Sequence, residues 1–190
     1  MMISNNLFSL ESKTALVTGG STGLGLMATA GLAAAGAKVF IVSRKLENCE
    51  KAANKINNCN FKGQVVPFKG DLSSEAGISN IVNELHKKNS ELHVLVNNAG
   101  RTWGSNFGSF PYDAWEKVLN LNVSALFHLT QKLVPLLAAS AERDSPTRII
   151  NIGSVMGEIP MGDGAYSYAA SKSAVHHITK ILAKELADKN

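Results

Sequence analysis

Tyr168-Ala169-Ala170-Ser171-Lys172 sets a phenol four residues ahead of an ammonium. On a helix, positions four apart share a face. A lysine charge beside a phenol would favour the phenolate and lower a tyrosine pKa from its reference of ~10. A tyrosine tuned in that way serves as general acid or base. In the reduction of a carbonyl it would give a proton to the oxygen as hydride reaches the carbon. Tyr166 is the weaker candidate, because Ala170 stands four residues beyond it. The same spacing also describes an ordinary helix face with a buried ring and a snorkelling lysine. The pair therefore needs companions.

Two polar residues stand where companions would be useful. Ser154 follows the apolar run Ile149-Ile150-Asn151-Ile152 and Gly153. Its hydroxyl is placed to donate to a substrate oxygen and polarise it. Asn122 interrupts the apolar stretch Leu119-Asn120-Leu121-Asn122-Val123. Asparagine is a poor residue inside a helix. Either a satisfied polar bond in the core or a water-binding role would account for it.

A second constellation lies near the N-terminus, in Thr18-Gly19-Gly20-Ser21-Thr22-Gly23-Leu24-Gly25. Gly19 allows a tight turn, Gly23 lets backbone approach a pyrophosphate, and Gly25 permits close packing of the following helix. Free N–H groups at that helix start would face the phosphates. A glycine-rich turn with no ligand fits the same letters, and the loop's place between a strand and a helix favours the nucleotide. No Gly-Lys-Ser/Thr follows, so it is not a kinase-type phosphate loop. After the second strand come Ser43 and Arg44 rather than an acidic residue. A guanidinium suits the 2′-phosphate of NADP, whereas an acid would suit the ribose of NAD. A solvated turn with incidental basic residues is the plainer alternative.

These groups need a scaffold, and the apolar pattern supplies one. Short runs rich in Val, Ile and Leu read as buried parallel strands at 14–18, 38–43, 64–68, 92–96 and 148–152. Helical stretches run over 23–35, 46–57, 74–88, 112–140 and 166–187. Five such alternations predict an open, doubly wound parallel α/β sheet of Rossmann type, in strand order 3-2-1-4-5. Pro135 predicts a kink or early end in the fourth helix. With 190 residues, 45% of them hydrophobic and 18% charged, the chain is globular rather than disordered. Residues 1–190 read as a single dinucleotide-binding and catalytic domain. No apolar run approaches the ~20 residues of a membrane span. The net charge of +4 comes from scattered basic residues, which argues against nucleic acid. Cys49 and Cys59 are too few for a disulfide framework and read as free thiols. With no signal peptide legible at the N-terminus, a cytoplasmic protein is expected.

Taken together the motifs resemble the short-chain dehydrogenase/reductase family over the whole length. They are Thr18-Gly19-x-x-x-Gly23-x-Gly25, Asp71 after the third strand, Asn97-Asn98-Ala99-Gly100 after the fourth, then Asn122, Ser154 and Tyr168-x-x-x-Lys172, in family order. Trp103-Gly104 and Ile150-Asn151-Ile152-Gly153-Ser154-Val155 look most like the NADPH-dependent 3-oxoacyl reductases of the rhamnolipid-synthesis branch. The resemblance implies that Gly19, Gly20, Ser21, Thr22, Gly23 and Leu24 cradle the cofactor phosphates. It places Arg44 at the 2′-phosphate, Asp71 and Leu72 at the adenine, and Asn98 at a ribose. It makes Tyr168 the acid, Lys172 its tuner and a ribose ligand, and Ser154 the partner of the substrate oxygen. Asn122 would hold a relay water. Hydride would pass from NADPH to a ketone, a 3-oxoacyl thioester being the leading substrate. The alternative is a non-catalytic nucleotide-binding or dimerising fragment.

Two departures qualify the likeness. Many NADP-dependent relatives carry a basic residue inside the glycine loop, where this chain has Thr22, so Arg44 acts largely alone. Relatives also continue past the Tyr168 helix with two further strands and a substrate-covering segment. The chain therefore reads as incomplete at its C-terminus, with its fifth strand left as a sheet edge. In the family the fourth and fifth helices pair subunits into homodimers or homotetramers. The stripes Leu126, Phe127, Leu129, Leu133 and Ala174, Ile178, Ile181, Leu182 serve that purpose or plain core packing equally. His176 and His177 point about 100° apart on a helix and cannot chelate one metal together, so no metal is expected. Trp103 and Trp115 read as packing residues, with Trp103 near a substrate entrance. By resemblance Met156, Pro160 and Met161 face an apolar substrate.

Overall fold

The computed structural model describes residues 7–189. Residues 1–6 of the stretch read for a leader, and Asn190, lie outside them. Five parallel strands form one sheet: β1 (Thr14–Thr18), β2 (Lys38–Ser43), β3 (Gln64–Lys69), β4 (Val94–Asn97) and β5 (Arg148–Asn151). Their order is β3-β2-β1-β4-β5, as the alternation of patterns predicts. Six α-helices connect and cover them: α1 (Gly23–Ala34), α2 (Leu46–Asn57), α3 (Glu75–Lys88), α4 (Tyr112–Leu119), α5 (Ala125–Ser140) and α6 (Tyr166–Glu185).

The strands are apolar throughout because both sheet faces are covered. Successive side chains of a strand point to opposite faces. Leu16, Phe40 and Leu95 pack into one cluster with Ile81 and Leu85 of α3 and Leu129 and Leu133 of α5. Ala15, Val17, Val39 and Ile41 pack into the other with Ala33 of α1 and Cys49 and Ile56 of α2. Topology thus reverses between β1 and β4, where a crevice opens beyond the strand ends. At the opposite end His93 staples the strands. Its Nδ1 accepts from Thr14 N–H at 3.0 Å, and its backbone bonds Thr14 and Arg148.

The fourth helix departs from expectation in two ways. The span 112–140 is helical, but Asn120–Ser124 is π-helical, with Ala125 N–H donating to the Asn120 carbonyl. Asn120 and Asn122 weaken the α-ladder there, and Asn122 exchanges side-chain bonds with a neighbouring loop. Pro135 does not end the helix, which continues to Ser140. Leu133, Leu136 and Leu137 are buried around the proline, and their packing holds the turn despite the missing donor. The strand expected over 92–96 begins at Val94, because Leu92 N–H is taken by the Ser140 hydroxyl at 3.0 Å.

β5 is the edge of the sheet. Its burial alternates, and Ile150 is 44% exposed. The α5 stripe is core at Leu126, Leu129 and Leu133, whereas Phe127 on α5 and Ile181 on α6 are exposed. Cys49 is buried, Cys59 exposed, and both are free thiols. Trp103 and Trp115 are not core residues. Each keeps about two-fifths of its surface exposed, and Trp115 packs edge-on against Phe110.

Candidate functional site

The glycine loop is built by left-handed backbone and by bonds from β4. Gly19 and Gly23 take φ of +65° and +53°, values that favour glycine. The Thr18 hydroxyl accepts from Asn98 N–H and Ala99 N–H, each at 3.0 Å, and donates to the Val96 carbonyl. Asn98 Nδ2 donates to the Thr18 carbonyl at 2.9 Å and the Gly19 carbonyl at 3.2 Å. A Cβ on Gly25 would crowd the Gly19 carbonyl oxygen and Asn98 Nδ2, whereas one on Gly23 would meet open space. Gly25 is therefore needed for packing, and Gly23 faces room for a ligand. Gly20 and Ser21 are buried beneath the loop. Thr29, in the second turn of α1, shares its hydroxyl proton between the Gly25 carbonyl at 2.8 Å and the Gly20 carbonyl at 3.2 Å.

α1 starts without a side-chain cap and without an acidic residue in its first turn. Its first N–H groups and the positive end of its dipole thus face the crevice uncompensated. The groove before it has a volume of about 220 Å³, lined by Gly19, Thr22, Arg44, Leu72, Asn98 and Gly100. Leu24 is exposed just past it. Asp71 stands beside Leu72. Its carboxylate accepts from Ser73 N–H at 2.9 Å, and that bond, with help from Arg44, holds its pKa below the usual carboxylate value.

The second half of the site lies on α6. Lys172 is buried, 6% exposed, and its Nζ donates to the Ile152 carbonyl at 2.6 Å. The same ammonium lies 5.6 Å from the centre of the half-buried Tyr168 ring. Burial lowers the Lys172 pKa from its ordinary value. Ser154 caps the 3-10 turn Val155–Gly157, with its Oγ accepting from Met156 N–H at 3.3 Å. That bond uses a lone pair and leaves the hydroxyl proton free to donate elsewhere. Tyr166 turns away into an aromatic group with Phe107 and Phe110. Val155 and Met161 are exposed on the loop after Ser154.

Asn122 links the two halves. It is buried, and its Oδ1 accepts from Arg101 N–H at 2.8 Å. Its Nδ2 donates to the Arg101 carbonyl and to Ser171 Oγ, each at 2.9 Å. Ser171 in turn donates to the Tyr168 carbonyl at 2.7 Å. Both amide hydrogens of Asn122 are thus spent on protein partners. A second link crosses the sheet: Ile152 N–H donates to the Asn97 carbonyl at 3.0 Å, and Ile152 accepts Lys172 in return.

The fourteen residues marked in the sequence therefore fall into a phosphate-loop group and an α6 group, joined through β4, β5 and the π-turn. Sequence reading missed Thr18, Thr29 and Ser171 as the bonds that fix them. Thr18 and Ser171 were inside quoted motifs, and their polarity amid buried neighbours was the available signal.

This geometry defines a dinucleotide-binding α/β domain with a tyrosine–lysine pair beyond the strand ends. Residues 13–190 match the profile of the short chain dehydrogenases, and the chain belongs to that family. It is 46% identical over 179 residues to the rhamnolipids biosynthesis 3-oxoacyl-[acyl-carrier-protein] reductase of Pseudomonas aeruginosa, covering 94% of this chain and 69% of the relative. It is 33% identical over 181 residues to the 3-oxoacyl-[acyl-carrier-protein] reductase FabG of Thermotoga maritima, covering 95% of this chain and 71% of that one. The solved Pseudomonas aeruginosa RhlG/NADP active-site complex superposes with a TM-score of 0.90 at 46% identity, covering 96% of this chain and 70% of that chain. Like its family the chain is an oxidoreductase, and no helix among the described residues is long and apolar enough to cross a membrane.

Proposed function

We propose that this protein is an NADPH-dependent carbonyl reductase acting on 3-oxoacyl thioesters. The observation that carries the reading is the Lys172 ammonium facing the Tyr168 ring while it is tied to the end of β5. The residues present suit the cofactor. The uncapped N–H groups of α1, with open space over Gly23, accept phosphates. Arg44 lines the same groove and offers a guanidinium to a 2′-phosphate, with no acidic residue at the end of β2 to reject it. Asp71 and Leu72 border the place for the adenine, and Asn98 holds the loop that a ribose would rest on.

When bound, the nicotinamide supplies the hydride. Tyr168 gives its phenolic proton to the ketone oxygen, and Lys172 stabilises the resulting phenolate electrostatically. Ser154 donates its free hydroxyl proton to the same oxygen and polarises the carbonyl. The Asn122 side chain is committed to Arg101 and Ser171. A relay water would therefore rest on a backbone carbonyl of the π-turn, because a change from i+4 to i+5 bonding and back leaves one carbonyl without its own donor. The exposed Val155 and Met161 favour an apolar acyl chain. The relatives' 3-oxoacyl substrates support the same class.

A second reading, nucleotide binding without turnover, draws on the position of β5 at the edge of the sheet. Titration of the purified chain with NADPH and NADH, followed by NADPH consumption with a 3-oxoacyl thioester, separates the two. Saturable turnover supports the reductase. Binding without turnover supports the second reading, and no binding of either nucleotide refutes both.

A further inference from the structure

We propose that His176 is a positioning residue for Ser154, acting as a neutral imidazole that carries its proton on Nδ1. The role rests on the reading of Ser154 as the partner of the substrate oxygen. His176 sits one turn beyond Lys172 on α6, on the flank that meets the loop after β5. Its Nε2 accepts from the Ser154 backbone N–H at 3.3 Å. An N–H donor aimed at Nε2 requires a lone pair there, so the ring proton belongs to Nδ1. Nδ1 is buried and has no hydrogen-bond partner within bonding geometry. It lies 3.4 Å from Glu158 Oε1, and this carboxylate favours the tautomer with its proton on that side.

The loop is shaped around the ring. A Cβ on Gly153 or on Gly157 would fall within 3.0 Å of imidazole atoms. Neither glycine has a positive φ, so close approach rather than backbone freedom calls for glycine here: of the ring at Gly153, and of both the Lys172 backbone and the ring at Gly157. Ser173, on the same helix, donates from its hydroxyl to the Gly157 carbonyl and pins the far end of the turn. Ser154 is thereby held at two points, its N–H by His176 and its Oγ by Met156 N–H. With both fixed, the hydroxyl proton is free and aimed by the scaffold. An imidazolium would oppose one N–H to another and release the first point.

Nitrogen-15 NMR of the full chain reads the His176 tautomer and the exchange rate of the Ser154 amide. Two variants divide the role: His176→Phe keeps a ring between the glycines without an acceptor, and His176→Gln keeps an acceptor. The expected result is an Nδ1–H tautomer in the unaltered chain. Ser154 amide exchange should be about tenfold faster in His176→Phe, as for a lost part-buried bond, and largely restored in His176→Gln. Where the chain reduces a 3-oxoacyl thioester, His176→Phe should lower kcat by about tenfold. KM and NADPH affinity should stay within about twofold, and His176→Gln should recover most of kcat. An Nε2–H tautomer, or equal Ser154 exchange in His176→Phe, overturns the proposal. Absence of turnover in the unaltered chain counts against the reductase reading alone, since tautomer and exchange are read without it. The tautomer needs no variant, so an Nε2–H ring overturns the proposal even where His176→Phe fails to fold, and a His176→Ala chain then reads the Ser154 amide in its place.

Discussion

Lys172 Nζ donates to the Ile152 carbonyl at 2.6 Å, so the ammonium that faces Tyr168 is also the clasp between α6 and the end of β5. Ile152 N–H is bonded to the Asn97 carbonyl. The charge is therefore fixed relative to the sheet rather than swinging on a four-carbon stem. Holding it there has an energetic cost, because the group is largely removed from water.

That cost is visible in pH. Burial lowers the Lys172 pKa from 10.5. Between the folded value and 10.5 the unfolded chain binds more protons than the folded one, so this group makes stability rise with pH across that window. Urea unfolding of the unaltered chain and of Lys172→Met from neutral pH upward isolates the effect. The difference should move in favour of the unaltered chain as pH approaches 10.5. A difference that is flat, or that slopes the other way, rules this account out.

Tyr168→Phe removes the phenolic proton and keeps the ring. On the proposed mechanism, turnover of a 3-oxoacyl thioester falls by about 10²–10⁴-fold, the usual worth of a positioned acid. NADPH affinity should change by less than about threefold, because Lys172 stays bonded to Ile152. Stopped-flow turnover beside fluorescence titration checks both halves. Retained turnover would shift the acid role to another group.

Arg44→Ala addresses cofactor choice. One charge-assisted contact is worth about 1.5–3 kcal/mol, so NADPH should bind about 10–100-fold more weakly while NADH binding is unchanged. Thr22 offers no second charge in the loop, so little residual preference for NADPH should survive. Equal losses for both nucleotides would mean that Arg44 supports the groove rather than reading the phosphate.

Much of this was legible in the sequence because the chemistry-bearing residues sit at strand ends. The strand order followed from the alternation of elements. The turn at Gly19 and the close packing at Gly25 follow their spacing, and the structure leaves open space at Gly23. What was not legible depends on contacts between distant segments. Asn122 gave two readings from sequence, and only its bonds to Arg101 and Ser171 show the side chain fully engaged. The π-turn and the unbroken helix at Pro135 are tertiary outcomes, set by a loop after β4 and by the leucine core. His176 carried no signal beyond its helix, since its partner Ser154 lies 22 residues away.

Gly25→Ala tests the packing of the phosphate loop against β4. The added methyl would meet the Gly19 carbonyl and the Asn98 amide at distances real side chains do not reach. Overpacking of that kind costs about 1–3 kcal/mol. Thermal unfolding should come at lower temperature, and NADPH binding should weaken by more than stability alone explains, because Asn98 holds the loop. Gly23→Ala is the contrast: it meets no neighbour but must adopt φ of +53°, so its effect comes from backbone strain and ligand access. Similar behaviour of the two variants would undo the division of roles.

The last prediction concerns the end of the sheet remote from the site. His93 Nδ1 accepts from Thr14 N–H at 3.0 Å, which requires a neutral ring there. Burial, and then the nearby Lys13 charge, lower its pKa from 6.5, while Glu91 and Glu142 pull the other way. Below 6.5 the unfolded histidine takes a proton that the folded one resists. Its contribution to stability is thus complete above pH 6.5 and lost as pH falls towards the folded value. In His93→Phe the bond and the titration are both removed. Urea midpoints measured from pH 7.5 to 5 should fall more steeply for the unaltered chain, and the gap between the two should close with acid. Parallel profiles would show that Thr14 N–H does not depend on the protonation of His93, and that the start of β1 is held by the ladder alone.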